Sequence, residues 1–279
     1  MRNKYAFIGV GNMASAIIGG ITGSDKAFID YKDIVLFDRN ADKMQAFADK
    51  GACIASSLQD AVNMSDCVLL CVKPQQFPDI LPELQKCKNV QDKLFITIAA
   101  GVQMTAVSVA ANGAPVVRVM PNTPMLVGKG VCAMCRDNNV SDADYYTAKK
   151  LFSASASIID ITEDEMNRII CVTGSSPAYV FLMIKAMYDG AVAQGLLRTD
   201  GNSGLTSQEL INSICDTIIG TAELMKQKNL SADEQIRNVA SKGGTTEQAL
   251  LELENYKFYE GIISAMQKCT QRADELSNK

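Results

Sequence analysis

Ile8-Gly9-Val10-Gly11-Asn12-Met13-Ala14 decides how the rest of the chain is read. The pattern Gly-x-Gly-x-x-Ala gains meaning only in context, and here the context is complete. An apolar run, Tyr5–Val10, leads into it; a helical pattern follows; Asp38 stands at the end of the next apolar run, Asp33–Phe37. In that setting Gly9 makes the tight turn, Gly11 lets backbone approach a pyrophosphate, and Ala14 lets helix and strand pack closely. The start of the helix adds free N–H groups and a positive field. The turn predicts a dinucleotide site. Asp38-Arg39-Asn40 points two ways on which dinucleotide. A carboxylate at this strand end suits a ribose diol, hence NADH, whereas Arg39 suits a 2′-phosphate, hence NADPH, toward which the reading leans.

Outward from the turn, short apolar runs alternate with amphipathic stretches. Asp66–Val72, Leu94–Ala99 and Pro115–Met120 read as further strands; Ala41–Lys50, Ser57–Met64 and Phe77–Lys86 read as helices between them. Near-continuous apolar strands separated by helices predict a doubly wound, parallel Rossmann-type sheet covered on both faces. Val131–Cys135 and Ile158–Ile161 extend it, with a helix over Ser141–Ser155 between them. After Thr162 strand signals cease. Ser175 or Ser176 is read as the cap of a helix running from Pro177 to Gln194, apolar on nearly all sides and therefore buried in a bundle or between subunits. Thr206 with Glu209, Ser231 with Glu234 and Thr245 with Gln248 read as capping boxes, and Thr199–Leu205 as a loop. The expectation is an α/β domain over 1–161 followed by an all-helical domain over 162–279.

Composition removes whole classes of chemistry. No histidine occurs in 279 residues, which excludes Ser-His-Asp hydrolysis, His-Asp dehydrogenation and any His-ligated metal; no metal site is expected. A net charge of −4 and a pI near 5.1 give no nucleic-acid footprint. Nine scattered cysteines fit a reducing cytoplasm. Cys132 and Cys135 fall on one strand, three residues apart, so they face opposite ways and do not make a redox pair. Arg2 and Lys4 before an apolar stretch resemble a signal peptide, but the glycines at 9, 11, 19 and 20 break that pattern. No later segment is read as a membrane span.

Beyond the first turn, several motifs accumulate: Val72-Lys73-Pro74-Gln75, Ile98-Ala99-Ala100-Gly101-Val102, Arg118-Val119-Met120-Pro121-Asn122-Thr123-Pro124, Gly174-Ser175-Ser176-Pro177-Ala178-Tyr179 and Ser241-Lys242-Gly243-Gly244-Thr245-Thr246. With them the chain resembles the pyrroline-5-carboxylate reductase family over almost its whole length. The resemblance implies hydride transfer from a nicotinamide to the C=N carbon of Δ1-pyrroline-5-carboxylate, giving L-proline. It implies a cofactor site of Ile8, Gly9, Gly11, Asn12, Met13, Asp38, Arg39, Cys71, Val72, Lys73, Pro74, Ala99, Ala100, Gly101, Asn122 and Asn238. It implies a substrate carboxylate held at Ser241, Gly243, Gly244 and Thr245, with Ser175 beside it. Thr246 would stand at the ring nitrogen and Glu163 would reach the substrate. An interleaved homodimer, in some members five dimers to a decamer, is also implied. Lys242 replaces a usual proline and Ser176 a usual glycine, which bears on substrate more than on cofactor. Two alternatives stand beside this reading: a dinucleotide-binding regulator without turnover, and a 3-hydroxy acid dehydrogenase. The second would need a lysine where the helix reads Gly-Ser-Ser-Pro-Ala-Tyr.

Overall fold

The computed structural model describes residues 4–23, 28–197 and 204–277. Arg2 and most of the expected 199–205 loop lie outside the described residues. Contacts divide the chain into two units, one built from the described residues up to Pro177 and from Lys268 onward, the other from Ala178–Gln267.

In the first unit the chain runs β1 (Tyr5–Ile8), α1 (Asn12–Gly23), β2 (Ile34–Phe37), α2 (Asp42–Ala48), β3 (Cys53–Ile54), α3 (Leu58–Asn63), β4 (Cys67–Leu70), α4 (Phe77–Leu84), β5 (Leu94–Thr97), α5 (Met104–Ala110), β6 (Val116–Met120), β7 (Gly130–Arg136), α6 (Asp142–Ser153) and β8 (Ala156–Asp160). The strands form one sheet in the order β3-β2-β1-β4-β5-β6-β7-β8. All neighbours are parallel except β6 and β7. After β3 the chain crosses to the far side of β1, so β1 and β4 flank the switch point at which such sheets bind ligands.

The sheet is covered on both faces because its strands are apolar at successive positions. Ala6 and Ile8 face the cluster completed by Leu58, Ala61 and Val62 of α3, Phe77, Ile80 and Leu84 of α4, and Met104, Val107 and Ala110 of α5. Tyr5 and Phe7 face the other, completed by Ala14, Ile17, Ile18 and Ile21 of α1 and Ala148, Leu151 and Phe152 of α6. Each fully buried Phe or Ile contributes about 1.5–3 kcal/mol, which is why β1 and α1 fold as sheet and cover. Cys132 and Cys135 fall in opposite clusters, as the strand period requires.

Past β8 the chain is helical from Glu163 to Ala193 apart from a bend at Ser175. It takes the form of a 3-10 turn at Glu163–Glu165, α7 (Met166–Ile169), a π-turn (Ile170–Gly174) and α8 (Ser176–Ala193). α8 agrees with the expected helix over Pro177–Gln194, with Pro177 in its first turn, but the expected side-chain cap at Ser175 or Ser176 is not made. Ser176 Oγ instead bonds back to the Val172 carbonyl at 2.5 Å. The Glu163–Ala193 stretch corrects the expectation of no membrane-length segment, because by length and composition it would pass for a span.

The second unit holds most of α8, then α9 (Ser207–Gln227), α10 (Ala232–Val239), α11 (Thr245–Asn255) and the first half of α12 (Phe258–Ser277). Thr206–Glu209 and Ser231–Glu234 form reciprocal capping boxes at the starts of α9 and α10. Phe181 and Leu182 of α8 are two-thirds exposed, and no described residue of that helix is buried within the single chain.

Candidate active site

A cleft of about 390 Å³ opens at the switch point, where the C-terminal ends of β1, β2 and β4 converge. Ile8, Gly9, Gly11, Asp38, Arg39, Cys71, Val72 and Lys73 line it, eight of the residues named from sequence. Gly9 has φ +91°, and a Cβ there would lie 2.8 Å from Val72 Cγ1 and 3.0 Å from the Cys71 carbonyl. Nothing but glycine fits between two strand ends so close. At Gly11 the same construction meets no atom within 4 Å, which leaves the open backbone a diphosphate requires. Burial pushes the Cys71 thiol up to about 12, so this wall of the cleft is neutral.

Asp38 ties β2 to the glycine turn. Its Oδ2 accepts the Val10 N–H at 2.7 Å, its Oδ1 accepts the Asn40 N–H at 2.9 Å, and Lys43 Nζ stands 3.6 Å away. A carboxylate has about four lone-pair sites, so a ribose hydroxyl can still donate to it. Arg39 is an exposed cation whose Nη2 bonds Asp79 Oδ2 at 2.9 Å. Lys43, Ser57, Gln76 and Asp79 also line the cleft and were not found from sequence. For Gln76 and Asp79 the signal lay in the strand order, which sets α4 beside the end of β2.

The other loops at this edge are each held by a side chain. Gln76 Oε1 accepts the Lys73 N–H at 3.1 Å beside Pro74. Glu163 Oε1 accepts the Met104 N–H at 2.7 Å, tying the start of α5 to the turn after β8. The same oxygen lies 3.3 Å from Nη1 of Arg118, whose side chain is 3% exposed. Arg118 carried no assigned role in the sequence, although a lone charge in the apolar run Pro115–Met120 needs a partner. Asn122 is buried; its Oδ1 accepts the Val131 N–H at 2.8 Å and its Nδ2 donates to the Thr173 carbonyl at 3.0 Å. Ser175 Oγ lies 3.2 Å from Cys269 Sγ. Asn12, Met13, Pro74, Ala99, Ala100, Gly101 and Asn122 do not line the cleft, and Met13 packs on the core under the sheet.

In the second unit, the turn before α11 is shaped by its glycines. Gly243 has φ +75°, and a Cβ on Gly244 would lie 2.6 Å from Ser241 Oγ and 2.9 Å from the Ser241 carbonyl. The cap differs from the expected Thr245–Gln248 box. Gly244 is the N-cap, without a side-chain bond, and Glu247 Oε2 reaches back to the Gly243 N–H at 2.7 Å. A carboxylate thus already rests on this helix start, in line with the anion affinity of such turns. Thr246, the second residue of α11, is partly exposed, whereas Asn238 near the end of α10 is exposed.

A Rossmann sheet with this cleft, joined to a helical half, defines an NAD(P)-dependent oxidoreductase. Residues 163–276 match the family model for pyrroline-5-carboxylate reductase dimerisation, and residues 4–101 match that for NADP oxidoreductase, coenzyme F420-dependent. The chain is 31% identical to the pyrroline-5-carboxylate reductase of Escherichia coli K12 over 99% of both chains, and 33% identical to that of Synechocystis over the full length of both. Among solved structures, Plasmodium falciparum pyrroline carboxylate reductase with NADP bound superposes with a TM-score of 0.86 at 25% identity, covering 98% of each chain. The Streptococcus pyogenes 1-pyrroline-5-carboxylate reductase gives 0.85 at 27%, with the same coverage. The chain belongs to the pyrroline-5-carboxylate reductase family. It is an oligomer-forming enzyme, and its membrane-length helical stretch falls inside the dimerisation match.

Proposed function

We propose that the chain reduces Δ1-pyrroline-5-carboxylate to L-proline with NADPH, accepting NADH less well, as a soluble cytoplasmic enzyme. The observation that carries this reading is the Gly243-Gly244-Thr245-Thr246 helix start, a carboxylate-accepting turn in a chain that also holds a dinucleotide cleft. The residues of the cleft fit the cofactor: a glycine with no room for Cβ at the turn, an open Gly11, and a cation at Arg39 for a 2′-phosphate. When bound, the nicotinamide supplies a hydride to the C=N carbon.

The chain's own part is orientation and electrostatics. A cyclic imine is basic enough to arrive protonated on nitrogen, so its carbon is already electrophilic and no strong general acid is needed. That suits a chain without histidine. In this reading Ser175, Ser241, Gly243, Gly244 and Thr245 serve the substrate carboxylate, Thr246 Oγ donates to the ring nitrogen region, and Glu163 acts on the substrate. Ile8–Met13, Asp38, Arg39, Cys71–Pro74, Ala99–Gly101, Asn122 and Asn238 serve the cofactor. The exposed apolar side chains of α8 support a homodimer with interleaved helical halves, and the family supports higher assemblies of such dimers. A functional division of the chain near 161/162 goes with this reading.

The test is NADPH and NADH oxidation, followed by absorbance, on adding pyrroline-5-carboxylate or its six-membered analogue. Turnover faster with the five-membered imine and with NADPH is expected. Tight NADPH binding without oxidation would replace the enzyme by a regulator.

A further inference from the structure

Pro177 is the second residue of α8, which follows the π-turn at Ile170–Gly174 after a bend at Ser175. Having no N–H, it cannot donate to the carbonyl four residues back, that of Thr173. Thr173 is buried, and a buried carbonyl without a donor is costly. The donor it receives is Asn122 Nδ2, at 3.0 Å and 51 residues away in sequence. One turn earlier the helix widens into a π-turn, closed by the Ser175 N–H on the Ile170 carbonyl at 2.8 Å. Such turns frequently occur at functional sites.

The other end of the Asn122 amide is equally committed. Its Oδ1 accepts the Val131 N–H at 2.8 Å, extending the β6–β7 ladder beyond Met120. Bonded through oxygen to an N–H and through nitrogen to a carbonyl, the amide has one orientation. It fixes the loop Asn122-Thr123-Pro124 at the strand edge that bears the cleft, and it fixes the helix at the point where the chain leaves the first unit, since Ala178 is the first residue of the second.

We propose that Asn122 is a positioning residue of the reduction: through the carbonyl that Pro177 leaves free, it locks the loop after β6 to the helix leading toward α8, so that both keep one placement during hydride transfer. This rests on the function proposed above. It leaves the cofactor role given to Asn122 above to its backbone, because the side-chain amide is used within the protein.

The proposal predicts rescue by a change outside the site. Asn122→Ala removes the donor to Thr173, whereas Pro177→Ala restores an N–H four residues along the helix. Steady-state rates with NADPH and pyrroline-5-carboxylate are read for both single variants and the pair. Asn122→Ala lowers kcat by about 10- to 100-fold, because it removes both the donor to Thr173 and the acceptor of the Val131 N–H, with cofactor KM moved less than about threefold. Pro177→Ala stays near the parent, and the double variant runs about tenfold faster than Asn122→Ala, regaining the share lost at Thr173 but not that lost at Val131. If Asn122→Ala does not fold, Asn122→Asp, which keeps the acceptor for Val131, is used in its place. A double variant no faster than the single one, or a rise in cofactor KM with kcat unchanged, overturns the proposal. A parent protein that oxidises neither NADPH nor NADH with the imine overturns instead the function on which it rests.

Discussion

Glu163→Gln is predicted to destabilise the protein more than Arg118→Met, although both break the same ion pair. The reason is unequal burial: the Arg118 side chain is 3% exposed and that of Glu163 29%. In Glu163→Gln the amide oxygen can still accept the Met104 N–H, so α5 keeps its partner. The guanidinium, however, remains in the core without a counter-charge. Among the described residues its Nε and Nη2 have no other hydrogen-bond partner to share the load. Leaving one member of a buried pair unpaired costs about 3–5 kcal/mol. The 3.3 Å separation and the partial exposure of Glu163 bring the figure here to about 3 kcal/mol. Arg118→Met removes the cation and refills most of its volume, while Glu163 keeps water on its open side and the Met104 N–H. That change should cost about 1 kcal/mol. The difference of about 2 kcal/mol corresponds to roughly 4–8 °C in Tm for a fold of this size. Thermal unfolding of both variants and the pair is measured at one protein concentration, because an oligomer's Tm depends on it. The double variant should melt with Arg118→Met. Equal Tm values, or Arg118→Met melting lower, would show that the buried cation is not what Glu163 compensates.

Three further outcomes are expected. Asp79→Asn releases Arg39 from its 2.9 Å pairing and should lower KM for NADPH by about threefold while leaving NADH unchanged; Arg39→Met should raise the NADPH value by about tenfold. No change in the NADPH to NADH ratio in either variant removes Arg39 from cofactor choice. Thr246→Ala should lower kcat by about 10- to 100-fold with NADPH affinity within about twofold, and unaltered steady-state kinetics would take Thr246 out of the mechanism. Stability should fall as pH rises from about 9 towards 12. Burial pushes the Cys71, Cys132 and Cys135 thiols up from 9.0 to about 12. The stabilisation tied to their folded-state protonation is complete below pH 9 and lost through that window. Urea midpoints at pH 8 and pH 10 measure it, and a midpoint that rises at pH 10 contradicts the burial argument.

What could be read in advance depended on how local its cause was. The turn at Gly9 and the strands around it were legible because a strand buried on both faces must be apolar at successive positions. β3 was not, being two residues long and only partly buried. Nor was the reversal of β7 against β6, since nothing in an apolar run records strand direction. Ser175-Ser176-Pro177 looked like a capped helix start; the helix starts there, but the same residues that cap also bond back to a preceding turn, and only that turn decides which. At 245–248 the glutamate one residue earlier won: Glu247 reaches the Gly243 N–H, which the φ +75° backbone turns towards it. Arg118 with Glu163, Asn122 with Thr173, and Asp79 in the cleft are pairings across 45, 51 and 40 residues, set by strand order alone.

These distant pairings share one form, which bears on how a reaction without a strong acid is run. Of the loops that meet the ligand-binding edge of the sheet, four follow β1, β4, β5 and β6. In each, or directly beyond it, a backbone N–H is held by a side-chain oxygen: Val10 by Asp38, Lys73 by Gln76, Met104 by Glu163 and Val131 by Asn122. Asp38, Glu163 and Asn122 each tie two elements together, so three of these loops cannot shift without breaking a bond to another part of the first unit, while Gln76 braces its own loop from within. If the substrate arrives protonated, the barrier that remains is largely one of placing carbon against hydride, where a misplacement of about 1 Å can cost a hundredfold. Polar side chains in such a site contribute most by restraining backbone. Dinucleotide folds with acid-base chemistry to perform need a titrating group aimed at substrate; here Asp38, Gln76, Glu163 and Asn122 are aimed at peptide N–H groups instead, while Asp79 and Glu83 in the cleft wall pair with Arg39 and Lys86. On that reasoning, substitutions at Asp38, Gln76, Glu163 and Asn122 that keep the oxygen acceptor should preserve turnover better than those that keep only size.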